Sequence, residues 1–209
     1  GEGTVYPNAD QIEFNNNNDA RASKTYKIRK PNERERQIQR LIVLFQMAYV
    51  GAPMIYYGDE AGMWGGHDPD ERMPMVWEDM KYDPQAIDPR GTEREPDPVE
   101  FDKDLFDFYK RAIALRRGSD ALNHGQFSVL ATDDVQRTIA FMRRSPNETL
   151  LIALNRGDQD ATVDLHVSAG KLKPIFVTHG ELDSIQPQSS VDGAQVALPP
   201  LTGVVFAYH

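Results

Sequence analysis

The sequence contains no cysteine, which excludes a disulfide framework, a thiolate metal site and thiol redox chemistry. It also has no apolar run near the roughly 20 residues that a membrane-spanning helix requires. Positive charge is scarce, because 23 Lys and Arg stand against 32 Asp and Glu and give a formal net charge of -9. Nucleic acids and anionic membranes recruit basic surfaces, so we predict neither as a partner. A neutral partner such as a sugar is compatible with this charge.

The sequence also lacks recognisable cofactor and metal motifs. It contains no Gly-rich phosphate loop and no His-x-x-x-His zinc pair. The oxygen-rich segment 15–19 lacks the alternating ligand spacing and the terminal Glu of a calcium loop. We therefore predict no cofactor and no metal. The first residues, GEGTVYPNADQ, include neither an initiator Met nor a secretion signal, and we expect that the chain starts within a longer protein.

A helix followed by a buried strand is predicted after a polar, turn-rich segment of about 31 residues. Asn32 and Glu35 have the spacing of a capping box, in which each side chain binds the other's free amide. Apolar residues then recur every three or four positions and predict one buried face, formed by Ile38, Leu41, Ile42, Phe45 and Tyr49. The sequence Gly51-Ala52-Pro53 ends this helix, and the apolar run 54–57 is typical of a strand covered on both faces.

The rest of the chain divides into a Pro-rich surface loop, a second helix and a β-rich part. The loop covers 79–98, and Asp97 is the predicted cap of the helix that ends at Gly118. From Ser119 onward, short alternating runs predict an antiparallel sandwich or barrel. The predicted strands are 127–130, 138–142, 150–154, 162–167, 174–177, 195–198 and 203–208.

The stretch from Gly51 to Trp77 carries a long motif. Its residues in order are Gly51, Pro53, Ile55-Tyr56-Tyr57-Gly58-Asp59-Glu60, Gly62-Met63 and Asp68-Pro69-Asp70-x-Arg72-x-Pro74-x-x-Trp77. This motif resembles the eighth-strand region of the α-amylase superfamily, glycoside hydrolase family thirteen, and most closely its neopullulanase and cyclomaltodextrinase branches. The resemblance implies an α/β plus all-β fold, with the last part of a TIM (β/α)8 barrel in residues 1–118 and an antiparallel β-sandwich domain in residues 119–209.

The resemblance also implies a function. The parent protein is expected to be a retaining hydrolase of α-1,4-glucosidic bonds, and this chain its C-terminal fragment. In the family, the nucleophilic Asp, the acid Glu and the stabilising Asp follow the fourth, fifth and seventh strands, all upstream of Gly1 if residues 54–57 are the eighth. We therefore predict no catalytic residue in the chain and no activity of the fragment alone. The alternatives are a transglycosylase, a trehalose-forming enzyme, or a carbohydrate-binding module without chemistry.

Four residues are predicted to bind substrate. Asp68 and Arg72 are spaced to share one face of a helical turn, and in the cyclomaltodextrinase branch the matching residues contact glucose units. The alternative for this pair is a salt bridge without a ligand. Trp64 and Tyr57 could each offer an aromatic face to a sugar ring. The predicted partners are an α-glucan, the remainder of the barrel and, through residues 38–57, a second copy of the chain.

Other residues near this loop are not predicted to bind substrate or to take part in catalysis. Trp77 is expected to be a buried anchor that folds the loop back. Glu60 is expected to brace the loop by hydrogen bonding, because adjacent carboxylates such as Asp59 and Glu60 point to opposite sides of an extended chain. His67 precedes Asp68 in a His-Asp pair that lies beyond the eighth-strand motif, where a binding loop is expected.

Overall fold

A computed structural model of the chain describes residues 28–66, 70–88 and 90–209. Its helices in these ranges are α1 (Glu33–Ala48), α2 (Lys103–Arg117) and α3 (Asp120–His124), with single 3-10 turns at Ala169–Lys171 and Leu182–Ser184. Its strands are β1 (Gln85–Ile87), β2 (Glu93–Asp97), β3 (Gln126–Asp133), β4 (Thr138–Arg144), β5 (Thr149–Asn155), β6 (Ala161–Asp164), β7 (Leu172–Val177), β8 (Gln188–Ser190), β9 (Gly193–Leu198) and β10 (Gly203–Tyr208). No helix within the described ranges has the length and apolarity needed to cross a membrane.

Helix α1 begins with the predicted capping box. The amide of Glu35 donates to Asn32 Oδ1 at 3.0 Å, and the Glu35 carboxylate accepts from the Asn32 amide at 2.8 Å. The predicted buried face is partly wrong, because Ile42 is 59% exposed whereas Leu44 and Met47 are buried beside Leu41. Apolar residues surround more than one side of this helix, so their spacing alone does not select the side that packs.

The predicted strand at residues 54–57 does not form. None of the sheets in the described residues includes this segment, and Met54 is 73% exposed while Tyr56 and Tyr57 are also exposed. A strand needs hydrogen bonds to a neighbouring strand, and apolar side chains alone do not supply them. A turn follows at Gly58. Gly58 has a φ of +90°, and its carbonyl accepts from the amides of Ala61 and Met63.

The predicted surface loop at 79–98 contains a β-hairpin. Strands β1 and β2 pair antiparallel, and Asp88 closes the turn by accepting from the amides of Arg90 and Thr92, both at 2.9 Å. Asp97 is therefore the last residue of β2, and its prediction as a helix cap is wrong. Asp102 caps α2 instead, because its carboxylate accepts from the Leu105 amide at 2.9 Å.

The β-rich part is an antiparallel sandwich, and all seven predicted strands form. One sheet has the strand order β3-β4-β5-β10-β7 and the other has the order β6-β9-β8. The core between them is formed by buried side chains from both sheets, among them Ala140, Leu151, Phe206, Val163, Val196 and Leu198. The pattern did not predict β8 or α3, because elements of 3 and 5 residues leave almost no periodic signal.

The described residues form two compact units, one made of 28–31 and 55–106 and the other of 32–54 and 107–209. In the second unit, two buried arginines hold the C-terminal end of α1. Arg116 donates to the carbonyls of Met47, Tyr49 and Gly51. Arg143, from β4, donates to the carbonyls of Ala48, Tyr49 and Gly125. Such carbonyls lack partners within the helix, so the guanidinium groups satisfy them.

Candidate functional site

The turn after residue 57 is braced by Glu60. The Gly58 amide donates to Glu60 Oε2 at 3.0 Å, so the structural role predicted for Glu60 is confirmed. Partial desolvation of the carboxyl and the neighbouring Glu60 carboxylate raise the pKa of Asp59, although a hydrogen bond with the Tyr56 backbone acts in the opposite direction. The turn therefore holds two carboxylates in different environments at the start of the predicted binding loop.

Tyr57 lies at the edge of an open cavity of about 730 Å³. Its hydroxyl donates to the Met73 carbonyl at 2.9 Å, and its ring lies 4.9 Å from that of Tyr56. The other residues that line the cavity are Glu60, Met75, Trp77, Glu78, Asp79, Phe101 and Phe106. We call the four aromatic residues Tyr57, Trp77, Phe101 and Phe106 the aromatic shelf. The shelf presents flat apolar faces beside carboxylates.

Trp77 is not the buried anchor that the sequence suggested. Its side chain is 54% exposed and lines the shelf cavity. The loop is held instead through the Trp77 backbone, whose amide donates to Tyr82 Oη at 2.6 Å. Sequence reasoning missed Trp77 as a candidate site residue, and its apolar neighbours Met75 and Val76 gave the opposite signal.

Trp64 lines a second cavity of about 260 Å³, which we call the Trp64 pocket. The Arg94 guanidinium, from β2, stacks on the indole with its carbon 5.3 Å from the ring centroid. Arg94 is in turn held by Asp97 at 2.7 Å and by Gln85 at 2.9 Å. The structure thus places Tyr57 and Trp64 in different cavities.

The segment 73–77 lines both cavities. Met73, Pro74 and Val76 line the Trp64 pocket, whereas Met75 and Trp77 line the shelf cavity.

Arg72 is exposed at the surface of the same loop. Its Nε lies 3.6 Å from the Glu71 carboxylate, with 63% of the Arg72 side chain accessible. Asp68 and His67 lie outside the described residues, so the pairing of Asp68 with Arg72 stays a prediction. Across the loop, a Cβ added to Gly65 would approach the Glu71 Cα within 3.0 Å. This close approach explains why the loop has glycine at that position.

The chemistry available here is recognition of a polar ring with apolar faces. Exposed aromatic rings can stack on such a ring, while carboxylates and a guanidinium can bind its hydroxyls. Within 28–66, 70–88 and 90–209, no cluster of three or more His, Asp or Glu side chains has the arrangement of a metal site.

Two family models match this chain. The family model described as "Alpha amylase, catalytic domain" matches residues 6–125, and that described as "Maltogenic Amylase, C-terminal domain" matches residues 127–201. The chain belongs to the α-amylase family of glycoside hydrolases. Its fold is the C-terminal part of the family's TIM-barrel catalytic domain followed by an antiparallel β domain, as the sequence predicted.

Individual relatives are much longer than this chain. A cyclomaltodextrinase of Geobacillus thermopakistaniensis is 32% identical over 168 residues, which are 80% of this chain and 25% of the relative. Neopullulanase 2 of Thermoactinomyces vulgaris is 35% identical over 169 residues, again 80% of this chain and 25% of the relative. A solved cyclomaltodextrinase structure aligns with a TM-score of 0.60 at 28% identity, covering 82% of this chain and 26% of that one. The chain therefore spans about a quarter of the length of these relatives.

Proposed function

We propose that this chain contributes α-glucan binding to a retaining hydrolase of α-1,4-glucosidic bonds. The observation that carries the proposal is the match of residues 6–125 to the α-amylase catalytic domain. The names of the similar proteins, cyclomaltodextrinase and neopullulanase, support an α-glucan as the substrate class. The net charge of -9 is compatible with a neutral substrate and unfavourable for an anionic one.

The aromatic shelf supports the glucan-binding role. Trp77 and Tyr57 are both exposed, and the shelf cavity also contains the carboxylates of Glu78 and Asp79. A glucose ring has apolar C–H faces and a rim of hydroxyls, so aromatic rings and carboxylate acceptors are complementary to it. We therefore place the main sugar contact at Tyr57 and Trp77.

Arg72 and Asp68 are proposed to bind sugar hydroxyls. A guanidinium donates several hydrogen bonds in one plane, which suits two adjacent hydroxyls. Trp64 is proposed as a further substrate contact through its aromatic ring. These assignments rest on the family motif together with the exposure of Arg72.

A binding experiment tests this role directly. Because the chain has two tryptophans, replacing Trp64 with Phe leaves Trp77 as the single indole. Titration of this Trp64→Phe chain with maltotriose should give a saturable change in emission. The matched variant Trp77→Phe, which keeps Trp64, should bind maltotriose more weakly in calorimetry. Equal affinities in the two variants would contradict the assignment of the shelf.

We further propose that the isolated chain does not hydrolyse glucans. Retaining glycosidases need two carboxyl groups about 5–5.5 Å apart, and the family resemblance places both upstream of Gly1. Purified chain should give no turnover of starch, pullulan or cyclodextrin, with a complete cyclomaltodextrinase as positive control. Turnover that follows the chain through purification and disappears on Asp68→Asn would contradict this proposal.

The remainder of the barrel and a second copy of the chain are proposed partners of residues 38–57. This segment carries exposed apolar side chains at Ile42, Val50 and Met54. Association would cover them and supply hydrogen-bonding neighbours for residues 54–57. Light scattering over a dilution series should show a dimer that Ile55→Lys weakens. A monomer at every concentration would contradict self-association.

We also keep residues 118 and 119 as the proposed domain boundary. The two family models meet near this position, since one ends at residue 125 and the other begins at residue 127.

A further inference from the structure

The Trp64 pocket has a different chemistry from the aromatic shelf. Its walls are mostly apolar, and the residues that form them are Gly62, Met63, Trp64, Met73, Pro74, Val76 and Val99. Its polar residues are Tyr82, Asp83, Gln85 and Glu100. A ligand can use these polar groups only if they are not already bonded within the protein.

Most of the identified polar groups are already bonded within the protein. Tyr82 Oη accepts from the Trp77 amide, and Gln85 Oε1 accepts from Arg94 at 2.9 Å. The Glu100 carboxylate forms an ion pair with Lys30. A sugar inside the pocket would thus bury hydroxyl groups with few partners, and each such loss is unfavourable. The pocket favours an apolar ligand over a sugar.

The apolar walls are also held in place. Met63 Sδ accepts from the Val76 amide at 3.4 Å. The same sulfur lies so close to Gly58 that a Cβ there would be 2.4 Å away. On the opposite side, Arg94 covers the Trp64 indole and is anchored by Asp97. The pocket is therefore formed before a ligand arrives, which lowers the ordering cost of binding.

The size and the wall atoms together indicate the ligand. Apolar cavities of about 150 Å³ accommodate benzene, so the 260 Å³ of this pocket has room for a phenyl ring with a short substituent. Methionine sulfur and tryptophan both make favourable contacts with aromatic rings. Here two methionines and one tryptophan line the same space.

We propose that the Trp64 pocket binds an aryl group of the size of a substituted phenyl ring, either as a free aryl alcohol or as the aglycone of an aryl α-glucoside. This site is separate from the proposed glucan site, because its ligand is apolar and its lining residues are not those of the aromatic shelf. The segment 73–77 contributes different side chains to the two sites.

Fluorescence of the Trp77→Phe chain tests the proposal, since Trp64 is then the single indole. Benzyl alcohol should change the Trp64 emission in a saturable way at millimolar concentrations. Met73→Asp should weaken this binding by about tenfold or more, because it places a charge in the apolar wall. Met80→Asp is the matched control, since Met80 is exposed and lines neither cavity, and it should bind as the parent does.

Additional ligands identify the source of the aryl group and separate this site from the shelf. Binding of benzyl α-maltoside tighter than that of benzyl alcohol assigns the pocket to aryl glucosides, whereas equal binding assigns it to free aryl alcohols. Maltose added to the Trp64→Phe chain reports on Trp77 alone. Saturation by benzyl alcohol without a response to maltose supports the pocket and contradicts glucan binding at the shelf. A linear, unsaturated response to benzyl alcohol, or equal affinities in Met73→Asp and Met80→Asp with the circular dichroism unchanged, overturns the pocket proposal.

Discussion

Replacing Arg143 should destabilise the unit that contains the β-sandwich more than any nearby surface change. The residue is 2% exposed, and its guanidinium donates to the carbonyls of Ala48 at 2.8 Å, Tyr49 at 3.0 Å and Gly125 at 3.0 Å. The substitution Arg143→Met keeps a long side chain and removes all three donors. In this variant the Tyr49 carbonyl still accepts a hydrogen bond from Arg116. The carbonyls of Ala48 and Gly125 lose the hydrogen bond from Arg143, and Arg116 does not replace it.

The expected magnitude follows from these contacts. A hydrogen bond to a charged group contributes about 1.5–3 kcal/mol, so two of them set a range of about 3–6 kcal/mol. Two effects offset part of this loss. The desolvated guanidinium returns to water on unfolding, and the repulsion between Arg116 and Arg143 disappears in the variant. We therefore expect the free energy of unfolding to fall by about 2–4 kcal/mol.

Urea denaturation followed by circular dichroism measures this change. Arg144→Met is the matched control, because Arg144 is the next residue in β4 and is exposed. The control should change the free energy of unfolding by less than about 0.5 kcal/mol, as surface substitutions usually do. If Arg143→Met unfolds at the same urea concentration as Arg144→Met, the two arginines do not hold the end of α1 as described.

Two further predictions concern pH and substrate use. Desolvation and the charge of Arg40 lower the pKa of His179, with Glu33 opposing them, so the folded state favours the neutral ring that lies between the hydroxyls of Thr178 and Thr202. The contribution of neutral His179 to stability should be complete above the unfolded pKa of about 6.5 and be lost as the pH falls through the lowered folded pKa. A plot of melting temperature against pH should therefore be flatter over this range for His179→Gln. In the complete enzyme, Arg72→Ala should lower kcat/KM for longer α-glucans by about tenfold, and Arg72→Lys should recover little of it because the planar donor fork is lost. An unchanged kcat/KM with a lower melting temperature would make Arg72 a brace of the loop only.

Features set by neighbouring residues could be predicted from the sequence alone. The capping box of Asn32 and Glu35 depends on residues three positions apart, and it forms as predicted. All seven predicted strands of the sandwich form, with the one predicted at 162–167 ending at Asp164, because each is a short apolar or alternating run bounded by turn residues. The motif from Gly51 to Trp77 likewise identified the family, because it carries many residues in a fixed order.

The tertiary structure decided which sides of these elements are covered. Helix α1 has apolar residues on more than one side, and only the packing buries Leu44 and exposes Ile42. The strand predicted at 54–57 requires hydrogen bonds from other segments, which its own residues do not specify. Trp77 is 54% exposed although its neighbour Val76 is buried, which the run of apolar residues before it does not predict.

The candidate site shows the same division. Sequence patterns selected Tyr57, Trp64, Asp68 and Arg72 as one group of binding residues. The fold places Tyr57 and Trp64 in different cavities, and the segment 73–77 contributes side chains to both. The hairpin of β1 and β2 then places Arg94 on Trp64, 30 residues away in the sequence. Local residue order determined which side chains the loop contains, whereas long-range packing determined which of them share a cavity.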